Sequence, residues 1–486
     1  MKNIKDILEG IEAQIIRGPV NRPLSGIFLN STKIKKDGCF VAITGFRDDG
    51  NKYITDAVNN GAVMVVSEME PLENFPDVTW VQLKNIRKAF SRMSMNFYES
   101  PFEGKYVIGV TGTNGKTSVV SLIDGIFSKV SETARAGTLG MFCGQRKSIS
   151  KLTTPELNDI CRFLSEECPD DLKNIIMEVS SVALELDRVN GINFSQAVFT
   201  NLSGDHLDFH STMENYFNSK LSLFKGLPEN GWAIINIDDK KGSEIIDNIN
   251  SRYLTYGFSS HADVRPDKYK LDINGIKADI DTPRGKISIN SSLIGRVNLM
   301  NILAAVASAI AGEMNFDSIR KAIEEVKAVR GRLDFVYKND FSVLIDYAHT
   351  DKALESLLLS VKELEFNRLI LVFGAGGSRD KTKRARMGKV ASEHADIVIV
   401  TSDNPRNEDP GSIIDQIIGG FSRGFKNYYI EIDREKGIGK GIEMAGKKDI
   451  VIIAGKGHED YQIFKEKTIH FDDYEMVKNI IGRNNA

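Results

Sequence analysis

The sequence predicts an α/β protein with three domains, built around mostly parallel sheets flanked by helices. Short, nearly continuous apolar runs, such as those at 106–110 and 369–373, recur along the chain. Such runs are typical of strands that a parallel sheet buries on both faces. The chain has 486 residues, which suits about three domains of roughly 150 residues each.

The first predicted domain covers residues 1–101. Strand-like stretches at 39–43 and 62–66 alternate with helical segments. Pro101 follows Glu99 and Ser100, and a proline and the residue before it both disfavour a helix. We therefore place a linker at this point.

The second predicted domain covers residues 102–328. Apolar runs at 106–110, 174–179, 197–200 and 233–237 predict strands, and helical segments lie between several of them. Polar residues stand at the ends of these runs: Thr111, Glu178, Asn201 and Asn236. Ligands of open α/β sheets bind at the carboxyl ends of the strands, so we expect the chemistry there.

The third predicted domain covers residues 329–486 and repeats this pattern of apolar runs that end in polar loops. Runs at 342–345, 369–373, 397–400 and 450–454 predict strands, each followed by a polar or glycine-rich loop. The pattern indicates a second α/β domain of the Rossmann-like type.

Composition limits the function classes. Lysine and arginine number 63 and aspartate and glutamate 66, which gives a net charge of −3. This balance does not favour nucleic acid or an anionic membrane surface as a partner. The four cysteines form no CxxC pair, and no apolar run approaches the 18 residues or so of a membrane helix. We expect a cytoplasmic monomer that binds neither nucleic acid nor membrane.

The strongest local signal is a glycine-rich segment between the first strand and the first helix of the second domain. It contains Gly112, Thr113, Asn114 and Gly115, then Lys116 and Thr117, before a helix predicted at 119–127. Backbone amides of such a loop surround phosphate oxygens, the lysine neutralises charge and the threonine hydroxyl binds Mg²⁺. The alternative is a glycine turn with a surface lysine. The context favours a P-loop-type central sheet, and we call residues 111–117 the phosphate loop.

The phosphate loop Thr-Gly-Thr-Asn-Gly-Lys-Thr resembles that of the Mur ligase family. Further segments match the family in order along nearly the whole chain. They are Thr153-Thr154-Pro155, Met177 to Ser181, Phe199 to Ser203, Asp205 to Asp208, Lys220, Asn298, Asn301, Gly331-Arg332, Asp346 to His349, Gly376 to Asp380, Asp403 to Arg406 and Gly455 to Glu459.

The resemblance implies an ATP-dependent ligase. Phosphorylation turns a carboxylate into an acyl phosphate, and an amine then displaces phosphate to give an amide; such chemistry depends on positioning and charge neutralisation. The implied ATP contacts are Gly112, Thr113, Asn114, Gly115, Lys116, Thr117, Asn298, Arg332 and Asp346. For Asn298, the residue types also allow an N-cap of a helix at 299–310.

The resemblance also implies two Mg²⁺ sites. The implied metal ligands are Thr117, Glu178, His206 and a carbamylated Lys220, and catalysis is assigned to Lys116, Glu178, His206 and Lys220. From the residues alone, Glu178 could instead cap a helix or form an ion pair, and Lys220 could be a surface lysine. A zinc pair of His206 and His210 on one helix is disfavoured, because the polar loop around Gly204 predicts no helix there.

The amino-acid site is expected in the third domain. The family resemblance assigns it to Arg379, Asp403, Asn404, Pro405, Arg406, Gly455 and Glu459. Arg406 occupies the place typical of family members that use meso-diaminopimelate, whose second carboxylate a guanidinium binds bidentately. The alternative is an Asx-Pro turn with a solvated arginine.

The acceptor implied by the family is a UDP-linked muramyl peptide, with contacts from Ser31, Thr153, Thr154, Ser180 and Arg188. We expect the chain to add meso-diaminopimelate to UDP-MurNAc-L-Ala-D-Glu in cell-wall precursor synthesis. The chain departs from the family at Asn30, Thr32, Asn51 and Val182. A Mur-like ligase with another acceptor or amino acid, such as an archaeal pseudomurein precursor or a secondary metabolite, and a non-catalytic nucleotide-binding regulator are the alternatives.

Overall fold

Each of the three predicted regions contains a large β-sheet of its own. A computed structural model of the protein describes residues 2–45, 48–71, 75–150 and 152–484. The main sheets of the first, second and third regions have five, eight and six strands, respectively. Most neighbouring strands in these sheets are parallel. Helices flank the sheets, so the predicted α/β class is confirmed.

The N-terminal region begins with a two-stranded ribbon and continues into the five-stranded sheet, whose order is β2-β7-β6-β5-β4. Its strands are β1 (Lys2–Asn3), β2 (Ala13–Arg17), β3 (Pro23–Leu24), β4 (Gly26–Phe28), β5 (Gly38–Val41), β6 (Ala62–Ser67) and β7 (Thr79–Leu83). Its helices are α1 (Ile4–Ile7), α2 (Ile54–Asn59) and α3 (Ile86–Phe97), with 3₁₀ turns at Ser31–Lys33 and Gly50–Tyr53.

The central region contains the eight-stranded sheet, in the order β11-β10-β9-β12-β8-β13-β14-β15, and a three-stranded antiparallel sheet, β16-β17-β18. Its strands are β8 (Tyr106–Thr111), β9 (Thr133–Gly137), β10 (Gly140–Cys143), β11 (Arg146–Ser148), β12 (Asn174–Glu178), β13 (Gln196–Phe199), β14 (Trp232–Asn236), β15 (Arg252–Tyr256), β16 (Arg265–Asp272), β17 (Gly275–Thr282) and β18 (Gly285–Ser291). Its helices are α4 (Lys116–Phe127), α5 (Leu157–Glu166), α6 (Ser181–Glu185), α7 (Leu207–His210), α8 (Met213–Lys225), α9 (Lys240–Ile246), α10 (Gly295–Ala311) and α11 (Phe316–Glu325).

Both faces of the central sheet are buried, which explains the continuous apolar runs. Ile108 and Val110 of β8 belong to a core shared with α4 and α10. Val107, which directly precedes Ile108, points to the other face and joins a second core with α5 and α8. Because successive side chains of a strand point to opposite faces, most residues of such a strand are apolar.

The C-terminal region contains the six-stranded sheet, in the order β19-β20-β24-β21-β22-β23, with β19 antiparallel to β20. Its strands are β19 (Asp334–Lys338), β20 (Ser342–Asp346), β21 (Leu369–Phe373), β22 (Ile397–Thr401), β23 (Tyr428–Glu431), β24 (Ile450–Ala454), β25 (Tyr461–Ile463) and β26 (Thr468–His470). Its helices are α12 (Asp351–Lys362), α13 (Thr382–His394), α14 (Pro410–Ile418), α15 (Arg434–Met444) and α16 (Asp473–Asn484). Within the described residues, every helix is too short or too polar to cross a membrane.

Candidate active site

The phosphate loop leads from β8 into α4, which begins at Lys116, three residues earlier than predicted. Gly112 and Gly115 have φ angles of +145° and +87°, a region that glycine adopts without steric cost. A Cβ on Gly112 would lie 1.9 Å from Thr200 Oγ1. Lys116 Nζ donates to the carbonyl oxygens of Gly112 and Thr113 at 2.8 and 2.9 Å. The amides that open α4 lack partners within the helix and are available to phosphate oxygens.

Residues that follow β13 and end β14 hold the loop in this shape. Asn201 Oδ1 accepts a hydrogen bond from the Asn114 amide at 3.0 Å, and Thr200 Oγ1 donates to the Asn114 carbonyl oxygen at 2.6 Å. Asn236 Nδ2 donates to the Thr200 carbonyl oxygen at 2.7 Å. The polar strand ends singled out in the sequence therefore converge on the phosphate loop.

Glu178 is buried at the end of β12. Its Oε1 accepts hydrogen bonds from Thr117 Oγ1 at 3.0 Å and from the Thr138 amide at 2.8 Å, and its Oε2 accepts from Thr138 Oγ1 at 3.1 Å. Among the described residues it neither caps a helix nor forms an ion pair, so those two alternatives are wrong. The hydroxyl of Thr117 and the carboxylate of Glu178 form the oxygen-rich donor set that suits Mg²⁺.

Lys220 lies on α8, behind the phosphate loop. Its side chain is buried, and Nζ donates to the Gly112 carbonyl oxygen at 3.0 Å. Nζ also lies 4.4 Å from the centroid of the Tyr216 ring. Burial lowers the pKa of Lys220 well below its usual range, and the charge of Lys116 adds to this effect. The surface-lysine alternative is therefore wrong.

His206 lies on the loop that follows β13. Its ring centroid is 6.3 Å from that of Tyr216, whose hydroxyl is 3.1 Å from Thr113 Oγ1 in the phosphate loop. Burial favours a raised pKa for the neighbouring Asp205, but the nearby His206 and His349 more than offset this, so that the pKa is lowered. Asp205 and His206 therefore lie beside the phosphate loop.

The loop around His206 contains a helical turn that was not predicted. The helix α7 begins at Leu207, directly after His206, whose φ is +53°. The expected helix breaker, Gly204, lies before this turn and so does not interrupt it. His210, at its end, is buried with Nε2 2.9 Å from Ser181 Oγ.

Asn298 is buried inside α10, which begins at Gly295. The N-cap alternative is therefore wrong, because the helix starts one turn earlier than predicted. Asn298 Nδ2 donates to the Ile294 carbonyl oxygen at 3.0 Å, and Asn298 Oδ1 accepts from Asn301 Nδ2 at 3.2 Å. Asn301 Oδ1 would lie 2.8 Å from a Cβ on Gly115, so this asparagine pair packs against the phosphate loop.

Arg332 and Asp346 lie at the start of the C-terminal region. The Arg332 guanidinium lies 4.5 Å from the centroid of the Tyr347 ring. Asp346 accepts hydrogen bonds from the amides of Leu333 and Ala348 at 2.8 and 2.7 Å. Burial lowers the pKa of Lys116, and the positive charge of Arg332 contributes to the same shift.

A cavity of about 770 Å³ separates the His206 loop from the strand-end loops of the C-terminal sheet. Asp205 and His206 line one wall. Six of the seven residues predicted to bind the amino acid line the other: Arg379, Asp403, Asn404, Arg406, Gly455 and Glu459. The seventh, Pro405, lies behind this wall, where its carbonyl oxygen would meet a Cβ on Gly377 at 1.9 Å.

Charged groups of both signs face this cavity. Arg406 is half-buried with a φ of +52°, and its Nη1 donates to the Gly377 carbonyl oxygen at 2.9 Å, so it is not the fully solvated arginine of the alternative. Glu459 accepts from Asn404 Nδ2 at 2.9 Å and from the Tyr347 hydroxyl at 3.3 Å. Guanidinium groups for carboxylates and carboxylates for ammonium groups are thus available in one space.

Three of the predicted acceptor contacts form a hydrogen-bonded group beside Glu178. Thr154 Oγ1 donates to the Glu178 carbonyl oxygen at 2.9 Å and lies 3.2 Å from Ser180 Oγ. Arg188 Nη1 donates to the Thr154 carbonyl oxygen at 3.5 Å. Thr153 is half-buried next to this group, whereas Ser31 is buried in the N-terminal region and is not hydrogen-bonded to the group within the described residues.

The structure adds side chains that the sequence interpretation missed. Thr138 orients Glu178, and Tyr216 packs between His206 and Lys220. Lys383 lines the cavity, and its Nζ donates to the His349 carbonyl oxygen at 2.9 Å. Lys383 could have been noticed, because it lies shortly after the glycine-rich loop that follows a predicted strand. Thr138 and Tyr216 carry no local signal.

Comparison with known proteins decides the family. The Mur ligase middle domain matches residues 110–309, and the Mur ligase, glutamate ligase domain matches residues 331–457. A UDP-N-acetylmuramoyl-L-alanyl-D-glutamate–2,6-diaminopimelate ligase of Clostridium tetani is 38% identical over 484 residues, covering 98% of this chain and 99% of the relative. This chain belongs to the Mur ligase family.

The similarity of this Mur ligase to its relatives extends over all three regions. A ligase with the same name from Caldanaerobacter subterraneus subsp. tengcongensis is 40% identical over 479 residues, covering 98% of each chain. A solved structure of a UDP-N-acetylmuramoyl-L-alanyl-D-glutamate–2,6-diaminopimelate ligase has a TM-score of 0.69 and 29% identity, covering 100% of this Mur ligase and 99% of that chain. The fold of this chain is thus that of a Mur ligase.

Proposed function

We propose that this Mur ligase adds meso-diaminopimelate to UDP-MurNAc-L-Ala-D-Glu in an ATP-dependent reaction. The domain ranges that we propose for it are 1–101, 102–328 and 329–486, and we propose that it acts in the cytoplasm as a monomer. One observation carries the proposal. The cavity lined by Arg379, Arg406 and Glu459 opens onto His206, beside the phosphate loop, so an amine held there would face a carboxylate activated at that loop.

The chemistry of meso-diaminopimelate fits this cavity. The molecule carries two carboxylates and two ammonium groups. Arg406 offers a planar guanidinium to the distal carboxylate, and Glu459 offers a carboxylate to the distal ammonium. Lysine lacks the second carboxylate and would leave Arg406 without an anionic partner inside a half-buried site, which costs binding energy.

Bound ATP supplies the phosphoryl group that activates the acceptor carboxylate. Lys116 and the amides of the phosphate loop neutralise and position the phosphates. Thr117 and Glu178 are the residues that would hold one Mg²⁺, and His206 with a carbamylated Lys220 would hold a second. Asn298, Arg332 and Asp346 are proposed to hold the nucleoside and its phosphates.

The N-terminal departures from the family pattern are compatible with the same acceptor. Asn30 Oδ1 accepts hydrogen bonds from the Thr32 amide and hydroxyl at 2.9 and 2.8 Å, so it caps the turn that carries Ser31 just as an aspartate would. Asn51 Oδ1 accepts from Ser67 Oγ at 2.7 Å, which fixes its own turn. The 38% identity to a relative covers this region as well.

The test is phosphate release from ATP by the purified chain with UDP-MurNAc-L-Ala-D-Glu, Mg²⁺ and a panel of amino acids. We expect turnover with meso-diaminopimelate and at least about 100-fold lower kcat/KM with L-lysine, which corresponds to roughly 2.8 kcal/mol. Product mass must increase by one diaminopimelate residue, so that uncoupled ATP hydrolysis is not mistaken for ligation.

Each of the other outcomes would reject one part of the proposed function and retain the rest. Turnover with a different amino acid would retain the acceptor and reject the assignment of Arg406. Turnover only with a different acceptor carrier would retain the ligase chemistry and identify Asn30, Thr32, Asn51 and Val182 as marks of that carrier. A chain that binds ATP but ligates nothing would favour the non-catalytic regulator.

A further inference from the structure

Two loops form much of the C-terminal wall of the cavity. We call residues 376–379, after β21, the glycine loop, and residues 403–406, after β22, the arginine loop. The Gly377 amide donates to the Asn404 carbonyl oxygen at 2.9 Å, and Arg406 Nη1 donates to the Gly377 carbonyl oxygen at 2.9 Å. The guanidinium of Arg406 is therefore positioned by the backbone of the glycine loop.

A partly buried ion pair lies behind these two loops. Arg384, on α13, is fully buried, and its Nη1 and Nη2 donate to Glu408 Oε2 and Oε1 at 2.9 and 3.0 Å. Glu408 follows the arginine loop by two residues. Such a two-pronged contact between guanidinium and carboxylate fixes the distance and the angle between the groups.

The pair also holds the glycine loop directly. Arg384 Nη2 donates to the Gly376 carbonyl oxygen at 3.2 Å, and the Ser378 amide donates to Glu408 Oε1 at 2.5 Å. Gly376 and Ser378 of the glycine loop are thus both bonded to one ion pair. Gln416 Oε1 accepts from Arg384 Nη1 at 2.9 Å and anchors the arginine to α14.

Glu408 is held in its charged form. Its hydrogen bonds with Arg384 lower its pKa to about 2, and the Ser378 amide contributes to this. Neither Arg384 nor Glu408 is among the described residues that line the cavity. Their effect on a ligand is therefore indirect, through the position of the two loops.

We propose that Arg384 and Glu408 are positioning residues that fix the glycine loop against the arginine loop and thereby set the affinity for the incoming amino acid. The proposal rests on the proposed function, because it takes the cavity as the amino-acid site. It assigns a role to Glu408 and Arg384 that local sequence signals did not indicate.

The experiment compares steady-state kinetics of the full chain with Glu408→Gln, Glu408→Ala and Arg384→Lys. We expect KM for the amino acid to rise at least about tenfold in Glu408→Ala, because a small displacement of the loops misplaces Arg406. Glu408→Gln keeps one acceptor oxygen and should show a smaller rise. KM for ATP and for the acceptor should change less than about twofold, since the phosphate loop is untouched.

The control is the matched ion pair at the opposite end of the same sheet. Arg368 Nη2 and Asp449 Oδ2 are 2.6 Å apart, and the two residues precede β21 and β24. Asp449→Asn weakens the same kind of contact in the same region but far from the loops. It should lower thermal stability and leave KM for the amino acid unchanged. An equal rise of this KM in Asp449→Asn and Glu408→Ala would overturn the proposal.

A second measurement does not depend on the identity of the substrate. Amide hydrogen exchange at Gly377 and Ser378 should become at least about tenfold faster in Glu408→Ala, while exchange in β21 stays unchanged. Unchanged exchange rates at these two amides would contradict the positioning role. KM is measured with whichever amino acid the wild-type chain turns over, so failure with meso-diaminopimelate alone rejects the proposed function and not this pair.

Discussion

Lys220 Nζ donates to the carbonyl oxygen of Gly112 at 3.0 Å, so a lysine of α8 contacts the phosphate loop from behind. The same Nζ faces the ring of Tyr216 at 4.4 Å from its centroid. Burial lowers the pKa of this amine well below its usual range, and a lowered pKa favours the neutral form, which is the form that reacts with CO₂ to give a carbamate.

We predict that Lys220 is carbamylated in the active chain. Incubation with ¹³C-labelled bicarbonate should give a carbamate carbon resonance that Lys220→Arg lacks, and kcat of this variant should fall by about 100-fold or more, because a charge-stabilising group near the phosphates is lost. Lys241→Arg is the control, since Lys241 packs on Phe217, which lies on the same helix as Lys220. This variant should retain both the carbamate resonance and the activity. A resonance that persists in Lys220→Arg would assign the carbamate elsewhere.

Gly112→Ala should abolish nucleotide binding. The positive φ alone costs about 1–3 kcal/mol in a residue with a Cβ, and that Cβ would overlap Thr200 Oγ1. We expect the Kd for ADP, measured by isothermal titration calorimetry, to rise at least about 100-fold. Gly204→Ala serves as the control, because a Cβ there meets nothing within 4 Å; tight ADP binding by Gly112→Ala would contradict the loop geometry.

Arg406→Ala should raise KM for meso-diaminopimelate by about 10- to 100-fold, which corresponds to the free energy of a hydrogen bond between charged groups. The effect on kcat should be smaller. Arg406→Lys keeps the charge without the planar fork and should lie between wild type and alanine. Arg386, exposed at the rim of the same cavity and paired with Asp351 at 2.9 Å, provides the control. Equal losses in Arg386→Ala and Arg406→Ala would indicate a general charge effect rather than a specific contact.

His458 should make stability depend on pH. Burial lowers its pKa from the usual 6.5 to about 4, so the unfolded chain binds the proton more tightly than the folded chain does. The free energy of unfolding should therefore rise with pH between about 4 and 6.5. Urea unfolding of wild type and His458→Gln at pH 4.5 and 7.5 measures this effect. The gain between the two pH values should be smaller in His458→Gln, and an equal gain in both chains would show that His458 is not responsible.

The sequence interpretation succeeded where one local signal sufficed. The strands β21 and β24 have the predicted bounds, because both are central strands whose two faces demand apolar residues. The order of strand, glycine-rich loop and helix around residues 111–117 was predicted correctly, because the glycines, the lysine and the threonine are contiguous in the sequence. The three-stranded sheet β16-β17-β18 was missed, because one of its faces is largely solvent-exposed and its strands carry many charged residues.

Contacts between distant segments could not be predicted in the same way. Thr138 and Glu178 are 40 residues apart in sequence, and Tyr216 lies more than 100 residues after Thr113. Such pairs arise only when parallel strands bring their carboxyl ends together. The buried position of Lys220 has the same origin, since a lysine on a helix carries no mark of the loop that will cover it.

The two walls of the cavity come from different regions of the chain, with Asp205 on one side and Arg379 on the other. A small molecule that touches both walls acts as a bridge between two sheets that each have a core of their own. Its binding energy is available only while both sheets are folded and face each other. Saturation with such a molecule should therefore merge separate melting transitions of the two regions into a single cooperative one.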